Sequence, residues 1–330
     1  MNAKRLFTTA IFCSLLPGIA QSQEYSSELG ASLRLGVGVN TEPETEVTLE
    51  SYDSRVMWTG AATVNDKLNA VSYVEFEFDQ EDGLTETRYA WFGLGGDFGV
   101  VTGGQQTNAF YDAVTSVVDI AYWGSCYFEV SCLRQSAVLK FSSPDDKDYQ
   151  WMVSTILEAN DFENDAVDGL DIGGWFTSGD MTFGAGISVL FGNDMTFTET
   201  FEDDFGEFEI ETTVDFGTGV AFGISATSPL LGGDASLSLQ QASDDYLGMS
   251  EDGIALTGTF DLGNRYAILG LADAVNKPVY LTLGYEKPIV KDRAFTYFEF
   301  TAVDLDEDDR DVDLRARLVF VFDFDILSAS

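Results

Sequence analysis

Leu29-Gly30-Ala31-Ser32-Leu33-Arg34-Leu35-Gly36-Val37-Gly38-Val39 places an apolar residue at every odd position and a small or polar one at every even position. Successive side chains of a strand point to opposite faces, so the stretch predicts a strand with one apolar face and one small or polar face. The far end of the chain repeats the pattern. Val312, Leu314, Ala316, Leu318, Phe320, Phe322 and Phe324 alternate with Asp313, Arg315, Arg317, Val319, Val321 and Asp323. A soluble sandwich also alternates, so one strand decides nothing and the whole set has to be read.

Strands are expected near 28–40, 51–65, 67–79, 85–95, 97–104, 134–143, 148–159, 167–178, 180–200, 206–227, 232–242, 251–261, 264–273, 277–287, 292–304 and 312–324. Their connectors alternate between short turns, such as Asn65-Asp66, Gly95-Gly96-Asp97 and Ser178-Gly179-Asp180, and longer, mostly acidic loops. Of these, 105–133 is the longest. About sixteen strands, with short turns at one rim and long loops at the other, predict an all-β, antiparallel transmembrane barrel. Lipid cannot hydrogen-bond a backbone, so a sheet in the membrane has to close on itself.

Composition narrows the function. The 330 residues carry 56 Asp plus Glu against 17 Lys plus Arg, a net charge of −39, and no His. Such acidity argues against nucleic acid as a partner. Without His there is no Ser-His-Asp triad and no imidazole base, so no enzyme is expected, barrel phospholipases included. A secreted, acidic, Ca-binding β protein is the soluble alternative, but it would need Gly-Asp repeats that do not occur.

Residues 1–22 read as a secretory signal peptide. Lys4 and Arg5 precede an apolar run from Leu6 to Leu16, and Ala20 and Ser22 suit cleavage before Gln23. Residues 23–330 then form a single barrel domain. Cys126 and Cys132 would be exported, where a disulfide is the default reading and two free thiols the alternative.

Four segments resemble the general diffusion porins of Gram-negative outer membranes. Ser54-Arg55-Val56-Met57-Trp58-Thr59-Gly60 is similar to their second strand, and Thr87-Arg88-Tyr89-Ala90-Trp91-Phe92-Gly93-Leu94 to their fourth. Phe98-Gly99-Val100-Val101-Thr102-Gly103-Gly104-Gln105 resembles the fifth strand entering the long third loop. Arg134-Gln135-Ser136-Ala137-Val138-Leu139-Lys140-Phe141-Ser142-Ser143-Pro144 resembles the sixth leaving it. Such barrels usually end on an aromatic residue. Phe324 fits that position, yet six residues follow it.

The resemblance implies an outer-membrane homotrimer, in contact with outer-membrane lipid and lipopolysaccharide, whose third loop folds into the lumen and sets acids against a basic wall. Asp112, Asp119 and Glu129 lie on that loop, and alternation turns Arg34, Arg55, Arg88 and Arg134 inward. Arg315 and Arg317 extend the wall. The plainer reading is that these Arg pair with Glu75, Glu77 or other lumen acids and hold the barrel's shape. The same alternation sends Trp58, Tyr89, Trp91, Phe298 and Phe300 outward, and Tyr73, Phe92, Tyr280, Phe295 and Tyr297 inward.

Acids cluster at Glu42, Glu44 and Glu46, at 202–204, at Asp244 and Asp245, and at 304–311. They read as a solvated rim or as Ca sites; no other cofactor is expected, and no metal ligand is assigned. The function expected is a water-filled, cation-preferring channel for ions and small polar solutes, with a solute-selective channel as the alternative.

Overall fold

The structure, a computed structural model, describes residues 24–41, 45–51, 53–79, 83–122, 134–145, 148–157, 167–191, 194–203, 206–215, 218–243, 253–273, 279–291, 293–304 and 312–329. The expected signal peptide, Cys126, Glu129 and Cys132 lie outside these residues, as do most of the acidic runs.

The strands are β1 (Tyr25–Asn40), β2 (Glu46–Ser51), β3 (Ser54–Asn65), β4 (Leu68–Asp79), β5 (Gly83–Gly96), β6 (Gly99–Gln106), β7 (Gln135–Ser142), β8 (Tyr149–Ile156), β9 (Gly169–Ser178) and β10 (Met181–Leu190). There follow β11 (Asp194–Asp203), β12 (Gly206–Asp215), β13 (Gly219–Leu230), β14 (Gly233–Ala242), β15 (Gly253–Asp261), β16 (Arg265–Asp273), β17 (Val279–Val290), β18 (Ala294–Asp304) and β19 (Asp313–Ala329).

Successive barrel strands pair antiparallel, with β10 pairing across to β13, and β1 pairs with β19 from Asn40↔Arg315 to Ser27↔Ala329, which closes the sheet. β2 and β3 form one barrel strand, interrupted where Asp53 adopts a left-handed φ of 51°. At that break Ser54 replaces the lost ladder bonds. Its Oγ accepts from the Arg34 amide at 2.8 Å and donates to the Arg34 carbonyl at 3.2 Å. Counting β2 and β3 together, and leaving out β11 and β12, the barrel has sixteen strands.

Two expectations change. The strands expected at 180–200 and 206–227 each divide, and their distal halves pair with each other as a separate hairpin, β11–β12. Alternation runs through both halves, so it cannot tell barrel wall from hairpin; only the pairing partner does. Nor does the last strand stop at Phe324. It continues to Ala329 against β1, past a bulge opposite Leu29 and Gly30.

The outer surface carries the apolar set. Leu35, Phe92, Ile172, Phe222, Leu283, Phe298 and Phe320 are all exposed. A closed sheet with an apolar exterior satisfies its backbone internally and can sit in hydrocarbon. No helix among the described residues is long and apolar enough to cross a membrane; the strands make the crossing.

The inner surface divides in two. On β9, β10 and β13 the inward positions include Gly173, Gly184, Ser188, Gly186, Gly223 and Ser225, while β3 to β5 carry Arg55, Glu75, Glu77 and Tyr73. The β6–β7 loop lies against the first of these surfaces.

Candidate functional site

The loop enters the lumen after Gln106. Asn108 is fully buried and donates its side-chain amide to Asp171 Oδ1 at 3.1 Å, while the Ala109 amide donates to Ser154 Oγ at 2.8 Å. Asp171, itself fully buried on β9, also accepts from Ser154. A buried carboxylate with several donors is a rigid anchor.

A single π-turn follows at Tyr111–Thr115, closed by the Ser116 amide on the Tyr111 carbonyl at 2.9 Å. Its apolar side, Ala109, Phe110, Ala113 and Val114, packs with Met152, Ala221 and Ala242 of the wall. The glycines make this approach possible. A Cβ on Gly173 would collide with the Ala109 carbonyl oxygen, one on Gly184 with that of Ala113, and one on Gly223 with Val114 and Phe110. Ser225 Oγ then donates to the Ala113 carbonyl at 2.9 Å.

Beyond the turn the chain continues along the wall toward β18. Ile120 and Ala121 pack against Ile268, Tyr280 and Val303. Tyr122 stacks on Tyr297, with ring centroids 4.4 Å apart, and donates its amide to Glu299 and its hydroxyl to Glu286 at 2.6 Å. Tyr111 donates to Asp119 at 2.5 Å. Burial, helped by these carboxylates, pushes both loop phenols far up, so they remain neutral donors.

Across the lumen the expected Arg residues do gather, but with partners. Arg55 lies 3.4 Å from Glu75 and 3.6 Å from Asp53. Arg88 contacts Glu75 and Glu77, both at 2.8 Å. Glu75 is only 4% exposed and also receives the Tyr73 hydroxyl. Arg34 lies over the Tyr122 ring at 5.7 Å, which brings the wall and the loop together, and Arg134 lies over the Tyr89 ring at 4.8 Å. Arg315 pairs with Asp313.

Of the expected loop acids, Asp112 does not face these Arg as a bare charge. It pairs with Lys140 of β7 at 2.6 Å and accepts from Thr107. Lys140 and Asp171 were missed in the sequence, although each sits at an inward position of an alternating strand. Their signal was the phase of β7 and β9.

A second correction concerns the aromatic residues. Glu75 pairs with Tyr89 and Phe76 with Thr87, leaving Arg88 as the extra residue of a bulge. The bulge reverses the phase of everything after it. Tyr89 and Trp91 therefore turn into the lumen beside Tyr73, while Phe92 points out and is 68% exposed. Trp58 and Phe298 do face outward as expected. Among the described residues no group of three or more metal-ligating side chains gathers.

Comparison with known proteins agrees with this architecture. No curated protein matches the chain. Among solved structures, an anion-selective porin from Comamonas acidovorans superposes with a TM-score of 0.69 at 15% identity, over 91% of this chain and 100% of that one. A loop L8 deletion mutant of OmpT, an outer membrane protein of Vibrio cholerae, gives 0.68 at 18% identity, over 92% and 100%. In-vitro folded OmpT in a trimer form gives 0.65 at 16%, also over 92% and 100%. At these identities the likeness is one of fold. The sequence itself matches the Gram-negative porin family over residues 8–270. With a closed sixteen-strand barrel and an inward-folded loop already in place, the chain belongs to the Gram-negative porin family.

Proposed function

We propose that this outer-membrane channel passes ions and small hydrophilic solutes by diffusion, with a preference for cations, and works as a homotrimer. One observation carries the cation preference: four of the lumen bases are already answered by acids. Arg55, Arg88, Lys140 and Arg315 each contact at least one carboxylate, and Arg55 and Arg88 contact two each. That part of the wall therefore offers permeating anions little uncompensated positive charge. The chain as a whole contributes a strongly negative field, with 56 acidic residues against 17 basic. The Comamonas relative in fold is anion-selective; lumen charge, which differs freely among chains at 15% identity, sets selectivity, and the barrel does not.

Arg34, Arg55, Arg88 and Arg134 on the wall, with Asp112 held by Lys140 and Asp119 held by Tyr111 on the loop, support the reading of a constriction lined by charge of both signs and so of a transverse field. Such a field orients polar solutes and penalises apolar ones, which cannot replace lost water. Support for the trimer comes from the trimer form of OmpT.

The test is planar-bilayer conductance across a KCl gradient. Closure in threes with a reversal potential favouring K⁺ is expected. A reversal potential favouring Cl⁻ would overturn the preference, and a protein that inserts but stays silent would overturn open diffusion.

A further inference from the structure

The bulge at Arg88 creates something alternation did not foresee: an aromatic shelf in the lumen. Tyr73 lies 5.6 Å from Tyr89 and 6.1 Å from Trp91, with the rings tilted. These three rings line one side of a cavity of about 380 Å³. Thr102 and Gln106 of β6, Lys140 of β7 and Asp112 of the loop line the other side. β5 runs from the long-loop rim to the short-turn rim, so Trp91 stands just past the Arg88–Glu75 pair on the way to the short turns.

The chemistry of the cavity is selective. Its two charges close on each other, Lys140 to Asp112 at 2.6 Å, so nothing in it favours an anion or a cation. Thr102 donates to Gln106 at 2.8 Å. Both are buried and brace the pocket floor, whereas the Asp112 side chain is 26% exposed and its carboxylate oxygens each keep a second lone pair for a solute. The opposite side offers ring faces. An amphipathic pocket of this kind, within the roughly 300–1,000 Å³ typical of small-molecule sites, fits a solute that is apolar on one face and polyhydroxylated at its rim.

We propose that this pocket is a sugar subsite: a neutral pyranose lays its C–H face on Trp91 and Tyr73 and turns its hydroxyls to the Asp112–Lys140 pair. The inference rests on the channel reading and deepens it. The pocket opens on the lumen and has no lid among the described residues, so a sugar held there would leave readily, as permeation demands.

Maltose is the probe, and sorbitol, an acyclic polyol without a ring face, is the control. Ion current through the wild-type channel is expected to show a saturable loss on adding maltose and no saturable loss with sorbitol. Trp91→Leu should abolish the maltose effect, and Phe92→Leu, on the outer face, should retain it. Equal, linear losses with both solutes would mean bulk viscosity alone and would overturn the subsite. Trp91 is one of five tryptophans, so the difference in tryptophan fluorescence between wild type and Trp91→Leu, detergent-solubilised and titrated with maltose, reads the pocket without a current. If current flows and neither signal saturates, the subsite is wrong and the channel stands. If fluorescence saturates in a silent protein, the subsite stands and open diffusion falls.

Discussion

The two halves of the lumen wall solve opposite problems. The face made by β9, β10 and β13 has to receive a polypeptide, so its inward positions are small: Gly173, Gly184, Gly186, Gly223 and Ser225. The face made by β3, β4 and β5 has to present charge to water, so its inward positions are long: Arg55, Glu75, Glu77 and Arg88. Both faces alternate with an apolar exterior in the same way. Alternation shows which face of a strand is wet; residue size on that face shows whether it meets solvent or another segment of the chain.

The largest expected effect lies at the seat. Phe110 is completely buried between loop and wall. Phe110→Ala should destabilise the loop's docking by about 3–5 kcal/mol. Channels of this variant should be noisier and, on average, more conductive, because the loop leaves the wall unevenly. Quiet channels of wild-type conductance would show that the polar anchors alone hold the loop.

The next effect tests the glycines. Gly173→Ala together with Gly184→Ala places two methyl groups against loop carbonyls that cannot give way independently. The loop should shift toward the pore axis and lower single-channel conductance by roughly twofold. Gly103→Ala is the matched control, since its nearest neighbour, a Leu139 methyl, is 3.9 Å from the added carbon.

On the charged half, Glu75→Gln removes the carboxylate shared by Arg55 and Arg88. The permeability ratio of K⁺ to Cl⁻ should fall by about two- to threefold, because two guanidinium groups lose their common partner. An unchanged reversal potential would place the selectivity elsewhere, at the acidic mouth. If Glu75 matters, the shift should shrink as salt rises.

The smallest effect joins the halves. Tyr122→Phe deletes the hydroxyl that donates to Glu286 and leaves the stacking on Tyr297 and the contact with Arg34. One hydrogen bond is worth about 1 kcal/mol, so the barrel should keep its stability within that margin. The change should appear as more frequent brief closures.

Much of the molecule was legible beforehand because it is set locally. Each strand's two faces follow from the order of its own residues, and Arg34, Arg55 and Arg88 were placed in the lumen on that basis alone. What was not legible depended on a neighbour. Arg88 meets Glu75 and Glu77, yet alternation sends Tyr89 and Trp91 outward while the structure turns them in, since a bulge shows only in how β5 pairs with β4. Asp112 was expected to face the basic wall, but Lys140, 28 residues further on, takes it.

From the chain alone came the barrel class, the approximate strand number, the alternation of short and long connections, the long loop and the acidic balance. These follow from period-two patterning and composition, which are properties of neighbouring residues. Only the tertiary structure decided where the β6–β7 loop rests, which Arg are neutralised, and which aromatic rings reach the lumen. Those outcomes rest on contacts such as Asn108 to Asp171, Ala113 to Ser225 and Tyr122 to Glu299, each joining positions 63 to 177 residues apart. No local pattern encodes such a meeting. It exists only once the sheet has closed and brought its two walls within reach of one loop.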